Sequence, residues 1–336
     1  MRAAAAAFTQ GFRRSSSAPN IDGGSDNPQG RDLVLPPGRQ SSDKDVDKLY
    51  EKGEKIGEGR GEIFKAIELQ SSEPCCLKIL PRTLLTPSLL SSLRNESTIT
   101  STFPLQPHIN LCVPIKILES RNRIVMEMDL CEGGDLMEFL LQTPTLKWLD
   151  GMQPLRIIPQ LFRGVQYLHK NRVIHGDLKP DNILLTRKPL LKLRPGDSLA
   201  TSPGCIYKIC DFGDSFIIPE DAECVLLGGR KVGTKGYMSP EAWRGEIVGF
   251  ESDVWSLGIV VYVVFVGGLP FEPEDEEATA KFYADPKKAF KQLPKWKRIS
   301  RSVRKLISSM VVANRADRIT IEEALEAECL PGRENL

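Results

Sequence analysis

Asp177, Lys179 and Asn182 stand at positions +0, +2 and +5 of one short run, Val173-Ile174-His175-Gly176-Asp177-Leu178-Lys179-Pro180-Asp181-Asn182. Asp211-Phe212-Gly213 follows downstream. An acid at this spacing orients a hydroxyl, a lysine neutralises a phosphate, and an amide oxygen with a second carboxylate suits Mg²⁺, a hard cation that prefers oxygen ligands. Together these residue types describe phosphoryl-transfer chemistry.

Two features upstream fit the same chemistry. Gly57, Gly59 and Gly61 lie in Gly57-Glu58-Gly59-Arg60-Gly61-Glu62-Ile63. Glycines there let backbone amides close over phosphates with no Cβ in the way. Lys78, in Cys76-Leu77-Lys78-Ile79-Leu80, lies on a predicted strand. An inward-facing lysine requires a partner, because an unpaired buried charge is costly. Glu96, on the helix that follows, is the candidate.

The elements that must position these residues can be read from hydrophobic periodicity and turn residues. Residues 1 to 46 read as a flexible tail rich in Ser, Gly, Pro, Asn and Asp, with few large apolar residues. Order is expected to begin near Asp47. Glu54 to Ile56, a glycine turn and Ile63 to Leu69 read as strand, turn, strand. Further strands are expected at Cys75 to Leu80, Cys112 to Leu118 and Arg123 to Met128, with a helix from Ser88 to Phe103 between them. Beyond this point the pattern is helical: Asp135 to Leu141, Gln153 to Asn171, Ser252 to Gly267, Lys287 to Gln292, Ser302 to Val312 and Ile321 to Glu328. A smaller strand-rich part thus precedes a larger helical one, and the chemistry-bearing motifs fall on loops at their junction. Between Leu185 and Tyr207 runs a long loop carrying Arg187, Lys188, Lys192 and Arg194. It reads as a tolerated surface insertion, with a basic docking site bearing Ser202-Pro203 as the alternative.

The bulk numbers exclude several classes. A chain of 336 residues, 41% hydrophobic and 26% charged, with a net charge of +1, has no global electrostatic footprint for nucleic acid or membrane. Any such interaction would have to rest on local clusters. The apolar run Val254 to Leu269 is shorter than the roughly 18 to 20 residues of a membrane span and reads as a helix buried on all sides. The eight scattered cysteines lack zinc-site spacing and point to reduced thiols in an intracellular setting. A cytoplasmic or nuclear location is therefore expected. Arg2, Arg13 and Arg14, with no acid before Asp22, leave an organelle transit peptide as the alternative.

The catalytic run resembles the His-Arg-Asp loop of eukaryotic protein kinases, with Gly176 in place of the arginine. The resemblance covers the chain from about Leu49 to Leu330. It implies an α+β, bilobal protein-kinase-like fold for 47–330: a small β-rich N-terminal lobe over about 47–128, a hinge at 129–131, and a larger α-helical C-terminal lobe over about 132–330 with an insertion at about 186–206. It further implies ATP and Mg²⁺ as cofactors. Asp177 would then be the catalytic base, Lys179 would stabilise charge on the transferred group, and Asn182 and Asp211 would hold the metal. Lys78 would hold the α- and β-phosphates, positioned by Glu96. Ile56, Gly57, Glu58, Gly59, Arg60, Gly61 and Ile63 would form the phosphate cover, although G-x-G-x-G is one residue shorter than the family's G-x-G-x-x-G. Met128 falls at the gatekeeper position, Asp129, Leu130 and Cys131 at the hinge beside adenine, and Asp135 where it can reach the ribose or a basic substrate residue. Gly233-Thr234 through Pro240-Glu241 resembles the end of the activation segment. Asp253 resembles the aspartate that braces the catalytic loop, and Arg318 the arginine that pairs with Glu241.

Lys179-Pro180 and Gly233-Thr234 resemble serine/threonine rather than tyrosine kinases. Asp135 and Asp181 favour a basic residue upstream of the target hydroxyl, whereas Val263 stands where basophilic relatives carry an acid. In many relatives the arginine at position 176 meets an activation-segment phosphate. Between Asp211 and Thr234 only Ser215 bears a hydroxyl. Activity without activation-segment phosphorylation is therefore expected. A kinase-fold pseudoenzyme acting as a nucleotide-binding or scaffold protein is the alternative, and a small-molecule kinase a further one. Arg14-Ser15-Ser16-Ser17-Ala18-Pro19 fits the pattern 14-3-3 proteins recognise once the second serine, here Ser17, is phosphorylated.

Overall fold

The computed structural model describes residues 47–58, 61–102, 108–142, 154–187 and 204–330. The tail with Ser17, the Gly59-Arg60 loop tip and most of the 186–206 insertion, including Ser202, lie outside the described residues.

The first part is a five-stranded antiparallel sheet of β1 (Tyr50–Glu58), β2 (Glu62–Glu68), β3 (Pro74–Pro81), β4 (Lys116–Glu119) and β5 (Arg123–Met128), in the order β1-β2-β3-β5-β4. Helix α1 (Pro87–Thr102) lies between β3 and β4 in the chain. Side chains that alternate along a strand line one face, so register decides what meets. Ile63 pairs with Lys78, and Lys78 with Met126, which places Lys78 in the middle of the sheet. Cys75, Leu77 and Ile79 point to the opposite face and pack with Tyr50, Ala66 and Val125.

The expected strand Cys112 to Leu118 is shorter than the sequence suggests. Only Lys116–Glu119 pairs with β5, and Leu111 instead bridges to Ile209. Pro114 interrupts the run, since proline has no N–H to give a ladder.

The second part is built from α2 (Leu136–Gln142), α3 (Pro154–Lys170), α4 (Pro240–Trp243), α5 (Phe250–Val266), α6 (Glu276–Ala284), α7 (Pro286–Gln292), α8 (Arg301–Met310) and α9 (Ile321–Leu325). Helix α5 is its axis: every residue from Ser252 to Val264 is buried. It ends where Gly267 turns left-handed at φ 76° and its amide returns to the Val263 carbonyl. Among the described residues no helix is long and apolar enough to cross a membrane.

Three two-stranded ladders position the site between these parts. β6 (Val173–Ile174) pairs with β9 (Phe216–Ile217), β7 (Ile183–Leu185) with β8 (Tyr207–Ile209), and β10 (Cys224–Leu226) with β11 (Ile247–Gly249). The long insertion is therefore the loop of the β7–β8 hairpin. Its base is closed by the Thr186 amide on the Ile206 carbonyl and the Ile206 amide on Thr186 Oγ1.

Candidate active site

The β7–β8 hairpin brings Asn182, just before β7, beside Asp211, just after β8. The Cys210 amide donates to the Asn182 carbonyl at 3.0 Å. Asn182 gives both amide protons to Asp177, reaching its carbonyl at 2.8 Å and Oδ2 at 3.1 Å. What the asparagine has left to offer is its side-chain oxygen. With the Asp211 carboxylate this makes an oxygen donor set, which fits a hard divalent cation. Asp211 adopts φ 63°, a left-handed conformation uncommon outside glycine, and such outliers cluster at functional sites.

Asp177 is the centre of a closed triangle. Thr234 Oγ1 donates to Asp177 Oδ1 at 2.7 Å, Lys179 Nζ lies 2.9 Å from Asp177 Oδ2, and Lys179 Nζ donates to Thr234 Oγ1 at 2.7 Å. Burial pulls the Lys179 ammonium down, but Asp177, Asp181 and Asp211 outweigh it and the net shift is upward. Asp181 is pushed up by burial.

Lys78 Nζ reaches both Glu96 oxygens at 3.4 Å, and the Glu96 side chain is only 5% exposed. Burial lowers the Lys78 ammonium; the charges of Glu96 and Asp211 raise it by more, so its net shift is upward. A lysine held between two carboxylates remains a cation, suited to phosphate oxygens. The neighbouring Asn95 donates from Nδ2 to the Gly213 carbonyl at 3.1 Å and to the Ser215 carbonyl at 3.4 Å. One turn of α1 thus engages both the sheet lysine and the segment after Asp-Phe-Gly.

Buried side chains brace this arrangement. Asp253, at the start of α5, accepts from the amides of His175 and Gly176 and from His169 Nε2 at 2.9 to 3.0 Å. His175 is fully buried; its Nδ1 accepts from the Asp177 amide, its Nε2 donates to the Cys210 carbonyl, and its ring packs 5.2 Å from Phe212. It is a brace, with both ring nitrogens engaged. His108 packs against Tyr167, away from this cluster. Arg318 grips Glu241 through two bonds at 2.7 and 2.8 Å, fixing the end of the segment after Thr234.

The remaining sequence candidates fall around the cleft. Gly57 is opposite Ile63 and Glu58 opposite Glu62, with the Glu58 carboxylate held by Lys55. β1 ends at Glu58 and β2 begins at Glu62, with Gly59 and Arg60 outside the described residues. Gly61 lies so close to β3 that a Cβ would come within 2.7 Å of the Ile79 carbonyl oxygen. Ile56 is exposed at the strand edge. Met128 ends β5 opposite Cys76. Asp129 turns its carboxylate to Lys208 at 2.7 Å, which leaves its backbone as the part available to a base at the hinge. Cys131 is half-buried, and its thiol pairs with that of Cys112, which lowers the Cys131 pKa. Asp135 caps α2, accepting the Glu138 amide at 2.7 Å; burial raises its carboxyl.

Sequence reading missed Arg172. Its backbone is left-handed at φ 61°, and its guanidinium donates to the carbonyls of Pro219, at 2.5 Å, and Ala222. Its own carbonyl accepts the Ile218 amide at 2.8 Å. An arginine four residues before Gly176 therefore holds the activation-segment backbone directly. No spacing rule flags it, because its partners are main-chain atoms.

The comparisons with known proteins agree with this geometry. A family model described as protein kinase domain matches residues 50–330. The chain is 32% identical over 221 residues to calcium-dependent protein kinase 4 of Plasmodium falciparum, covering 66% of this chain and 38% of that protein. It is 30% identical over 280 residues to CBL-interacting protein kinase 16 of Oryza sativa, covering 82% and 55%. It is 30% identical over 282 residues to CBL-interacting serine/threonine-protein kinase 9 of Arabidopsis thaliana, covering 83% and 57%. The chain spans about half the length of the curated relatives it matches, or less. Its five-stranded sheet, helical second part and matched residues place one conclusion beyond dispute: the chain belongs to the protein kinase family, with serine/threonine kinases as its relatives.

Proposed function

We propose that the protein transfers the γ-phosphoryl group of ATP to serine or threonine hydroxyls of proteins. The observation that carries this reading is the Asp177–Lys179–Thr234 triangle beside Asp211 and Asn182. Asp177 orients the incoming hydroxyl and accepts its proton. Lys179, 2.9 Å from Asp177, is placed to neutralise charge that develops on the transferred group. Lys78, held by Glu96, takes the α- and β-phosphates, and the amides of the glycine turn cover them. Asn182 and Asp211 would hold Mg²⁺, which would offset the negative charge of the phosphates. All of these side chains are retained, which favours an enzyme over a kinase-fold scaffold.

The protein does not require activation-segment phosphorylation in this reading. The functions of a phosphate receptor are met by fixed contacts instead: Arg172 on the Pro219 and Ala222 carbonyls, Asn95 on Gly213 and Ser215, and the β6–β9 and β10–β11 ladders. Ser215, the one hydroxyl-bearing residue between Asp211 and Thr234, is 3% exposed. The test is transfer of labelled phosphate from Mg-ATP to a serine/threonine peptide array, with Asp177→Asn beside the wild type. Equal signal from both would overturn the reading. Binding of 14-3-3 proteins at phosphorylated Ser17 is proposed separately on the Arg14-to-Pro19 pattern alone, and an unchanged pull-down with Ser17→Ala would count against it.

A further inference from the structure

A second site lies in the helical part, built from residues the phosphoryl-transfer reading does not use. Residues 286–316 contain ten lysines and arginines and no aspartate or glutamate, on a chain whose 45 basic and 44 acidic residues otherwise balance. This stretch folds as α7, a turn at Trp296–Arg298, and α8. Val303, Leu306, Ile307 and Met310 bury one face of α8, which directs Arg301, Arg304, Lys305 and Ser308, at helical spacings of 3, 4 and 7, to the other. Lys287 and Lys291, one turn apart on α7, face the same space. Between the helices is a cleft of about 670 Å³ lined by these residues with Ser309 and Trp296.

The charges in this cleft are uncompensated. None of Lys287, Lys291, Arg301, Arg304 or Lys305 forms an ion pair among the described residues, whereas Lys281, on the preceding helix, pairs with Glu277. Arg304 Nε is buried without a hydrogen-bond partner. Like charges four residues apart on a helix repel. Two such pairs, Lys287/Lys291 and Arg301/Lys305, converge on one concavity with no acid to relieve them.

We propose that this cleft is a docking site for an acidic segment of a partner protein, one that presents carboxylates or phosphates in an extended strand. Arginine and lysine side chains from α8, with lysines from α7, line the cleft and suit carboxylate or phosphate groups. The basic residues of two helices gather around one cleft, which an extended peptide can enter, and the vesicle arm of the test addresses a membrane surface. The floor selects against nucleic acid: Trp296 is 5% exposed and stacked on Phe290 at 4.6 Å, so it offers no face to a base. The site stands independently of the proposed catalytic activity.

The test is fluorescence anisotropy of the full chain with a labelled peptide of glutamates and phosphoserines, beside a glutamine-for-acid control. Arg301→Glu/Lys305→Glu should weaken peptide binding at least about tenfold, as loss of complementary charge at close contact does. Lys287→Ala/Lys291→Ala, on exposed positions of the opposite wall, should weaken it without charge reversal. The reversal Arg121→Glu, in the β4–β5 turn, should leave it unchanged. Thermal unfolding of each variant confirms that the helices remain folded. Peptide affinity equal in wild type and both cleft variants would overturn the proposal. So would tighter binding to phosphatidylserine vesicles or to a thymidine oligonucleotide than to the peptide.

Discussion

Ser215 donates its hydroxyl to the His175 carbonyl at 2.9 Å, from a side chain almost wholly shielded from solvent. The bond joins the segment after Asp-Phe-Gly to the catalytic loop two residues before Asp177. It gives Ser215 a structural task where a phosphorylation switch would otherwise be sought. Ser215→Ala is expected to lower stability by about 1 kcal/mol, the net worth of one hydrogen bond, while phosphate transfer stays within a few-fold of wild type. Ser215→Glu should impair both, because it forces a longer, charged side chain into a buried position. Chemical denaturation and peptide phosphorylation measure the two effects. Loss of transfer in Ser215→Ala, with phosphate found on Ser215 in the active wild type, would contradict this assignment.

Arg172 is expected to hold the activation segment in place of a phosphate. Arg172→Ala removes hydrogen bonds from a charged donor to two carbonyls, each worth about 1.5 to 3 kcal/mol. Amide hydrogen exchange should accelerate over residues 216–223, and transfer should fall about tenfold as substrate positioning loosens. Unchanged exchange in that stretch would show that the ladders suffice without it.

Gly176 is not a free position for the missing arginine. Its φ is +80°, and a Cβ there would lie 2.6 Å from the Asp214 carbonyl oxygen. Left-handed backbone costs a residue with a side chain roughly 1 to 2 kcal/mol, before any overlap is counted. Gly176→Ala should therefore lower the unfolding free energy by at least about that amount, and Gly176→Arg by no less. A neutral Gly176→Ala would mean that the loop relaxes freely.

The Glu241–Arg318 pair links stability to pH. Burial raises the Glu241 carboxyl, but the two bonds and the charge of Arg318 outweigh it, so its pKa lies below its ordinary 4.5. Unfolding restores the ordinary value. The pair's contribution is thus fully present above about pH 4.5 and disappears as pH falls through the lower, folded value. Thermal unfolding of the wild type should weaken across that window. Arg318→Ala should cost about 3 to 5 kcal/mol at neutral pH by leaving a buried carboxylate unpaired. It should also lose the acid-side dependence that Glu241 confers, which a pH series of melting curves would read.

Much of this was visible in the sequence because catalytic-loop residues are close in the chain and constrained by chemistry. The spacing from Asp177 to Asn182 survives as direct contact, and the inward lysine on β3 has the partner its burial demands. Element types were also legible: α1 and α5 deviate from the expected helices only at their ends. Interactions between main-chain atoms and distant side chains were not legible. Arg172 binds carbonyls, which carry no residue identity, and Ser215 bonds to the His175 carbonyl across forty positions of sequence. Helix α6 was overlooked because its acid-rich start, Glu276-Glu277, shows weak apolar periodicity, although Phe282 and Tyr283 anchor it. The basic cleft was hidden by a net charge near zero, since an acidic excess elsewhere cancels it in the sum.

The central claim is that Asp177 performs phosphoryl transfer in a segment ordered without phosphate. The most direct measurement is the rate of phosphate transfer from Mg-ATP to a serine/threonine peptide array by phosphatase-treated protein, with Asp177→Asn in parallel. The treated wild type should retain its activity, and Asp177→Asn should fall by at least about a hundredfold, as loss of a general base entails. Equal rates for the two proteins would contradict the assignment of Asp177, and silence of the treated wild type alone would contradict independence from the phosphate.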